Sequence, residues 1–258
     1  AVWINLYFDR IMIKHFMSLN DVGLYSVGYR ISSISILIMI GIKGALSPLV
    51  FRHYKKANTP IELEKLFRLF LSISLITYLI LTLFSFDILK LMTTPAYYGA
   101  GTVIIFLVPA ILLGNMYIFF PGIAIEKKTN LILYINVCGA ILNILLNYLL
   151  IPRFGIDGAA VASMISYFII FIIYIFFGQR FYYIAHNWYK IIIASFIAFI
   201  LVIIKPQISL YFNAQWSINL IIILFFLTIL FHIGLINYKE LSTYAKTLHL
   251  ILFSKNRF

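Results

Sequence analysis

Cysteine, acidic residues and polar stretches are all scarce in this chain. Cys138 is the one cysteine and stands in an apolar run. No disulfide can form within the chain, and the thiol reads as buried and inert. The five histidines (His15, His53, His186, His232 and His249) are scattered. Without an HExxH spacing or a cysteine pair they offer no metal site. No Gly-rich phosphate loop or Walker sequence appears, which excludes nucleotide hydrolysis by this chain. No segment outside the apolar runs is long enough to form a catalytic domain, so an enzyme is not expected, and neither is a cofactor. Acids number 8 against 20 lysines and arginines.

What is present is apolar length. Hydrophobic residues make up 63% of the chain, charged residues 11%, and the mean hydropathy is +1.02. Soluble domains are about 45–50% apolar, so composition alone predicts an all-α polytopic membrane protein. A net charge of +12 would suggest nucleic acid in a soluble protein. Here most cations fall in short loops between apolar runs, where they report membrane orientation and not a nucleic-acid partner.

Apolar runs bounded by polar residues, glycine or proline give eight candidate spans. They lie at roughly 1–17, 22–50, 66–89, 100–124, 131–151, 158–178, 190–204 and 216–236. The chain opens on Ala1 inside a probable helix and has no signal-peptide pattern, so it reads as the C-terminal part of a longer protein. Alternate loops differ in charge. One side carries thirteen basic residues: Arg52, Lys55, Lys56, Lys65, Arg68, Lys127, Lys128, Arg180, Lys190, Lys239, Lys246, Lys255 and Arg257. The other carries Lys90, Arg153 and Lys205. The first side, with the C-terminus, is therefore expected in the cytoplasm of a multi-pass membrane protein.

Local signals agree with the spans. Thr59-Pro60-Ile61-Glu62 has the pattern of a capping box with proline at the first helical position. Pro152 to Gly158 reads as a tight turn between two spans. Asn136, Asn143 and Asn147 share a face of the fifth span with Ala140, a pattern suited to interhelical hydrogen bonds. Gly158, Ala162 and Ser166 repeat every four residues as a close-packing stripe. The tail, 239–258, fits either an interfacial helix or a frayed end.

The four remaining cations, Arg10, Lys14, Arg30 and Lys43, lie inside apparent spans, with Asp9 the nearby acid. Each charge costs roughly 2.5–3.5 kcal/mol at the bilayer centre when it faces lipid, so all four are expected to face a wet, protein-lined space. Arg10 and Arg30 are each ten residues from Asn20 in the first turn, which predicts equal depth on antiparallel helices. Trp3, Tyr7, Arg10 and Lys14 follow an i, i+4, i+7, i+11 pattern on one helix face. Guanidinium groups offer paired bonds to phosphate, and aromatic faces stack on sugar rings. Asp9 is expected as a structural ion-pair partner of an arginine.

Two segments resemble a known family. Asp9-Arg10-Ile11-Met12-Ile13, followed by Asp21 to Ile31 (DVGLYSVGYRI), is similar to the start of the C-terminal lobe of Wzx-type polysaccharide flippases. These belong to the multidrug/oligosaccharidyl-lipid/polysaccharide (MOP) exporter superfamily. Leu142 to Ala160 resembles a hairpin late in the same lobe. The resemblance implies a six-helix second lobe at 1–180, two additional helices at 181–238 and a cytoplasmic tail at 239–258. It also implies a flippase of the bacterial inner membrane that moves undecaprenyl-pyrophosphate-linked oligosaccharides by alternating access, among membrane lipids and other polysaccharide-assembly proteins. Arg10, Arg30, Lys14, Lys43, Trp3, Tyr7, Tyr25 and Tyr29 would then contact the cargo. An ion-coupled multidrug exporter of the same superfamily is the alternative, and a membrane scaffold without transport is a further one.

Overall fold

The computed structural model describes residues 2–209 and 215–237. The tail at 239–258 lies outside them. Ten α-helices occur in the described residues: α1 (Val2–Phe16), α2 (Leu19–Ser32), α3 (Ile36–His53), α4 (Thr59–Leu83), α5 (Ser85–Met92), α6 (Gly101–Leu113), α7 (Gly122–Ile125), α8 (Thr129–Phe181), α9 (Trp188–Ser209) and α10 (Gln215–Ile233). Three short 3-10 turns join α2 to α3, α5 to α6 and α6 to α7. The chain is an all-α polytopic membrane protein. Among the described residues, six helical stretches are long and apolar enough to cross a bilayer.

One of the six is a special case. The 53 residues of α8 would extend about 80 Å as a straight rod, against a hydrocarbon core of about 30 Å. Gly155 interrupts it with φ 60° and ψ −140°, a region that is essentially glycine-only. The chain reverses there, and α8 becomes two arms, as the Pro152–Gly158 pattern predicts. The turn is a single residue, tighter than expected. Gly158 makes the reversal possible, since a Cβ there would lie 2.4 Å from the Leu150 carbonyl oxygen. Farther along, a Cβ on Gly139 would lie 2.1 Å from Ile170. The expected small-residue stripe, Gly158, Ala162 and Ser166, is buried along its length.

Residues 1–64 and 77–186 form one compact unit, and residues 65–76 with those from 187 onward form another; α4 contributes to both. In the first, α1 and α2 are an antiparallel hairpin, and α6 packs against α2 and α8. Its core joins Ile13, Tyr25, Val103, Leu107, Ile151, Ala159 and Ala160. In the second, α9 buries Ala194, Ala198 and Val202 at four-residue intervals, and α10 buries Asn219, Ile222, Phe226 and Leu230. Arg68 donates through Nη1 to the Gly234 carbonyl just past the end of α10 (3.0 Å).

Two local expectations need correction. Thr59 does not cap α4 with its side chain. Its hydroxyl donates to the His53 carbonyl, and proline at the helix start supplies the boundary. A complete capping box forms instead at Ser18 and Asp21, opening α2. Cys138 is exposed on the surface of the first arm of α8, because an apolar run in a membrane helix presents one side to lipid.

In the 182–187 connection, His186 lies against Phe120, ring centroids 5.4 Å apart. Burial pushes its pKa down from the ordinary 6.5 to about 4. Between those values the unfolded chain binds a proton that the folded chain refuses, so stability falls as pH drops from 6.5 toward 4. Replacing His186 with Phe is expected to flatten that acid loss in thermal melts of the detergent-solubilised protein. A Gly155→Ala variant forces a side chain into the glycine-only region. It is expected to cost about 1–3 kcal/mol, read as a lower melting midpoint at every pH.

Candidate functional site

The site begins with a carboxylate in an apolar interior. Asp9 on α1 is 4% exposed and sits one turn from the fully buried Ile13. A carboxylate taken out of water without hydrogen bonds is strongly unfavourable. Here three neutral donors reach it: the Tyr25 hydroxyl on α2 (2.7 Å to Oδ2), the Ser163 hydroxyl on the second arm of α8 (2.8 Å to Oδ2), and the Asn147 amide on the first arm (2.6 Å to Oδ1). Asn147 also donates to Asn143 Oδ1 (3.1 Å), and Asn143 Nδ2 reaches Ser163 Oγ at 3.4 Å. Both partners of the Asn147 NH₂ are acceptors, which fixes the amide's orientation. Its own Oδ1 is then buried without a hydrogen-bond partner among the described residues.

Asp9 thus ties α1, α2 and both arms of α8 to one side chain. Asn136 adds a tie between the arms, donating to Tyr174 (3.0 Å) as well as to the Ile132 carbonyl (2.7 Å). The asparagine face therefore makes the interhelical bonds that its spacing suggests.

Arg10, the next residue, projects from a different side of α1. Its Nε donates to Ser26 Oγ on α2 (3.0 Å). Its guanidinium carbon lies 4.8 Å from the Tyr29 ring centroid and 5.6 Å from that of Tyr7, within cation–π range. Tyr7 is 48% exposed. Lys14, one turn along α1, is exposed, and so is Arg30, one turn beyond Ser26 on α2. Tyr7, Arg10, Lys14, Tyr29 and Arg30 thus form one cationic and aromatic face across the hairpin.

The structure changes two details of the expected arrangement. Arg10 lies level with Ser26, not Arg30, because the Ser18 cap starts α2 early and shifts the hairpin's midpoint toward Ser18. Arg30 is therefore four residues, about 6 Å, deeper. Tyr25, read as a sugar-contacting ring, is 1% exposed with its hydroxyl on Asp9; it belongs to the interior. Asp9 takes its hydrogen bonds from neutral side chains and also lies in the electrostatic field of the adjacent Arg10. Trp3 and Lys43 lie in α1 and α3, but their side chains fall outside the described ones.

The partners that the sequence reading missed are Ser26, Ser163 and Asn147 as the ligands of Arg10 and Asp9. A signal existed: an acid in a membrane helix requires donors, and Asn143, Asn147 and Ser163 are polar residues on otherwise apolar or small-residue faces.

The MatE family model matches residues 1–149, more than half of the chain and all of the hairpin that carries this site. The chain belongs to the MatE family. MatE proteins are membrane transporters of the MOP superfamily. A curated relative is an uncharacterized membrane protein of Methanocaldococcus jannaschii, 29% identical over 184 residues. That match takes in 67% of this chain and 35% of the relative, so the chain spans about a third of that protein's length. No solved structure matches the chain.

Within the first compact unit, the Asp9 cluster is expected to dominate packing of the first hairpin. Tyr25→Phe removes one bond to a charged acceptor and should cost about 1.5–3 kcal/mol. Asp9→Ala strands three buried donors and should cost more, on the order of 3–5 kcal/mol. The check is the melting midpoint of each purified variant in detergent, together with its monodisperse yield.

Proposed function

We propose that the protein is the C-terminal lobe of a flippase that carries undecaprenyl-pyrophosphate-linked oligosaccharide units across a bacterial cytoplasmic membrane by alternating access. The observation that carries this reading is Arg10. Its guanidinium rests between two tyrosine rings within a membrane-spanning hairpin, with exposed Lys14 and Arg30 nearby. Cations at membrane depth are retained where they serve an ion or substrate path. Three of them beside stacking aromatics match a cargo with phosphate at one end and sugar at the other.

In this reading Arg10 and Arg30 bind the pyrophosphate, with Lys14 adding charge. Tyr7 and Tyr29 pack on sugar, and the polyprenyl tail remains in the bilayer. Trp3 and Lys43 are further cargo contacts in this reading. Asp9 and Tyr25 act behind it, fixing the rotation of α1 so that Arg10 is presented to the cargo. Rocking of this lobe against a partner lobe would move the opening from one leaflet to the other. The thirteen-to-three distribution of loop cations supports a cytoplasmic C-terminus.

An ion-coupled multidrug exporter is the second reading, favoured by one observation: an intramembrane acid, Asp9, at the centre of a polar cluster. Cationic drugs would meet Arg10, Lys14 and Arg30 at unfavourable charge, which weighs against it. The test replaces Arg10 and Arg30 singly with Ala in the full-length protein and measures surface polysaccharide at matched expression. A loss of tenfold or more is expected for Arg10→Ala, and a smaller loss for Arg30→Ala. Normal polymer in both variants, with altered drug susceptibility, would transfer the reading to the exporter.

A further inference from the structure

The ends of the first unit differ sharply in charge. At the end holding the turns after α3 and α7 and the last turn of α8, the exposed cations are Arg52, Lys55, Lys56, Lys127, Lys128 and Arg180. The acids there are Glu62 and Glu64 on the first two turns of α4 and Glu126 beside Lys127. The opposite end has Asp21, Asp87 and Asp157 with Lys90 and Arg153. The excess of positive charge therefore belongs to one membrane surface and not to the molecule in general.

Specific contacts gather these cations. The Tyr182 hydroxyl donates to the Tyr54 carbonyl at 3.0 Å, which brings the Lys55–Lys56 turn to the end of α8. Lys128 Nζ lies 3.9 Å from the Phe181 ring centroid, which brings the Lys127–Lys128 turn to the same place. Gly122 permits this: a Cβ there would lie 2.2 Å from the Gly178 carbonyl oxygen, so the α7 segment presses directly on α8. Lys127 itself has φ 55°, the left-handed region. Glycine or asparagine would occupy that backbone at lower cost; the chain places a cation there instead. Tyr183, 74% exposed, supplies an aromatic ring of the kind that sits at headgroup level.

We infer that this basic cluster, formed by Lys55, Lys56, Lys127, Lys128 and Arg180 around Phe181 and Tyr182, is a binding surface for the phosphate headgroup of an anionic membrane phospholipid. Lys128, held by the Phe181 ring, and Lys127, held by its turn, form the ordered centre of the surface. Charge complementarity selects the headgroup: neutral zwitterionic lipid gains nothing from five clustered cations, whereas phosphatidylglycerol does. The inference stands apart from the flippase reading, since it uses none of the residues assigned there to the cargo.

The experiment uses the full chain in mixed micelles of detergent with phosphatidylglycerol or phosphatidylcholine. Lipid retention is read by native mass spectrometry, and stability by the melting midpoint. Phosphatidylglycerol is expected to be retained and to raise the midpoint above that in phosphatidylcholine. A Lys127→Gln/Lys128→Gln variant should bind phosphatidylglycerol more weakly, by about fivefold per lysine removed, the effect of one charge near an anionic surface. Its midpoint in phosphatidylcholine should fall only slightly, by the loss of the Lys128–Phe181 contact. Lys90→Gln/Arg153→Gln at the opposite end should bind like the parent. Lys127→Gly should raise the midpoint in phosphatidylcholine by relieving the backbone while still lowering lipid retention. Equal retention of the two lipids, or an equal loss in the opposite-end variant, would overturn the assignment. So would inorganic pyrophosphate matching the stabilisation by lipid, since the surface would then be a site for free phosphate.

Discussion

A single carboxylate organises the first half of this protein. Asp9 sits where an unsatisfied charge is prohibitively expensive, so the helices around it must present donors. They do so from three directions: Tyr25 from α2, Asn147 from one arm of α8 and Ser163 from the other. In a bilayer the apolar surfaces of helices have little preference for one another over lipid, and packing specificity has to come from close fit and polar contacts. The Asp9 cluster supplies the polar part. Gly158, which meets the Leu150 backbone, and Gly139, which leaves room for the Ile170 side chain, supply the fit.

That arrangement explains how adjacent residues on α1 can differ so much in environment. Asp9 points inward and consumes donors. Arg10 turns toward Ser26 and two tyrosine rings and leaves the faces of its guanidinium in an aromatic setting. The charge of the hairpin is thereby segregated: the negative group is spent on structure, and the positive groups remain on the open face. Had Asp9 been placed one residue later, the two would compete for the same side of the helix.

Much of this was readable in the sequence, and the failures have physical causes. The all-α membrane class, the reversal near Gly155 and the asparagine face followed from composition, periodicity and punctuation; the expected single span at 22–50 is instead two helices joined at Ser33–Ser35. The depth of Arg30 did not, because a cap is decided by two side chains: Ser18 and Asp21 close on each other and begin α2 about two residues before the midpoint that loop length implies. The role of Tyr25 was hidden because Tyr25 and Tyr29 share a helical spacing, and only the position of α1 tells which ring is covered. Cys138 misled because hydrophobic surroundings mean protein interior in water but often mean lipid in a membrane. The partners of Asp9 lie 16 to 154 residues away along the chain, beyond the reach of any local pattern.

The reversal at Gly155 also bears on how the arms of α8 can move. A connector of one residue has no spare contour length, and the two arms it joins are cross-linked again at Asn143–Ser163 and Asn136–Tyr174. Sliding one arm past the other would break these bonds and change the backbone angles at Gly155. The pair is therefore restricted to tilting as a plate, and whatever displaces one edge of that plate arrives at Asp9, and so at α1, with no slack to absorb it.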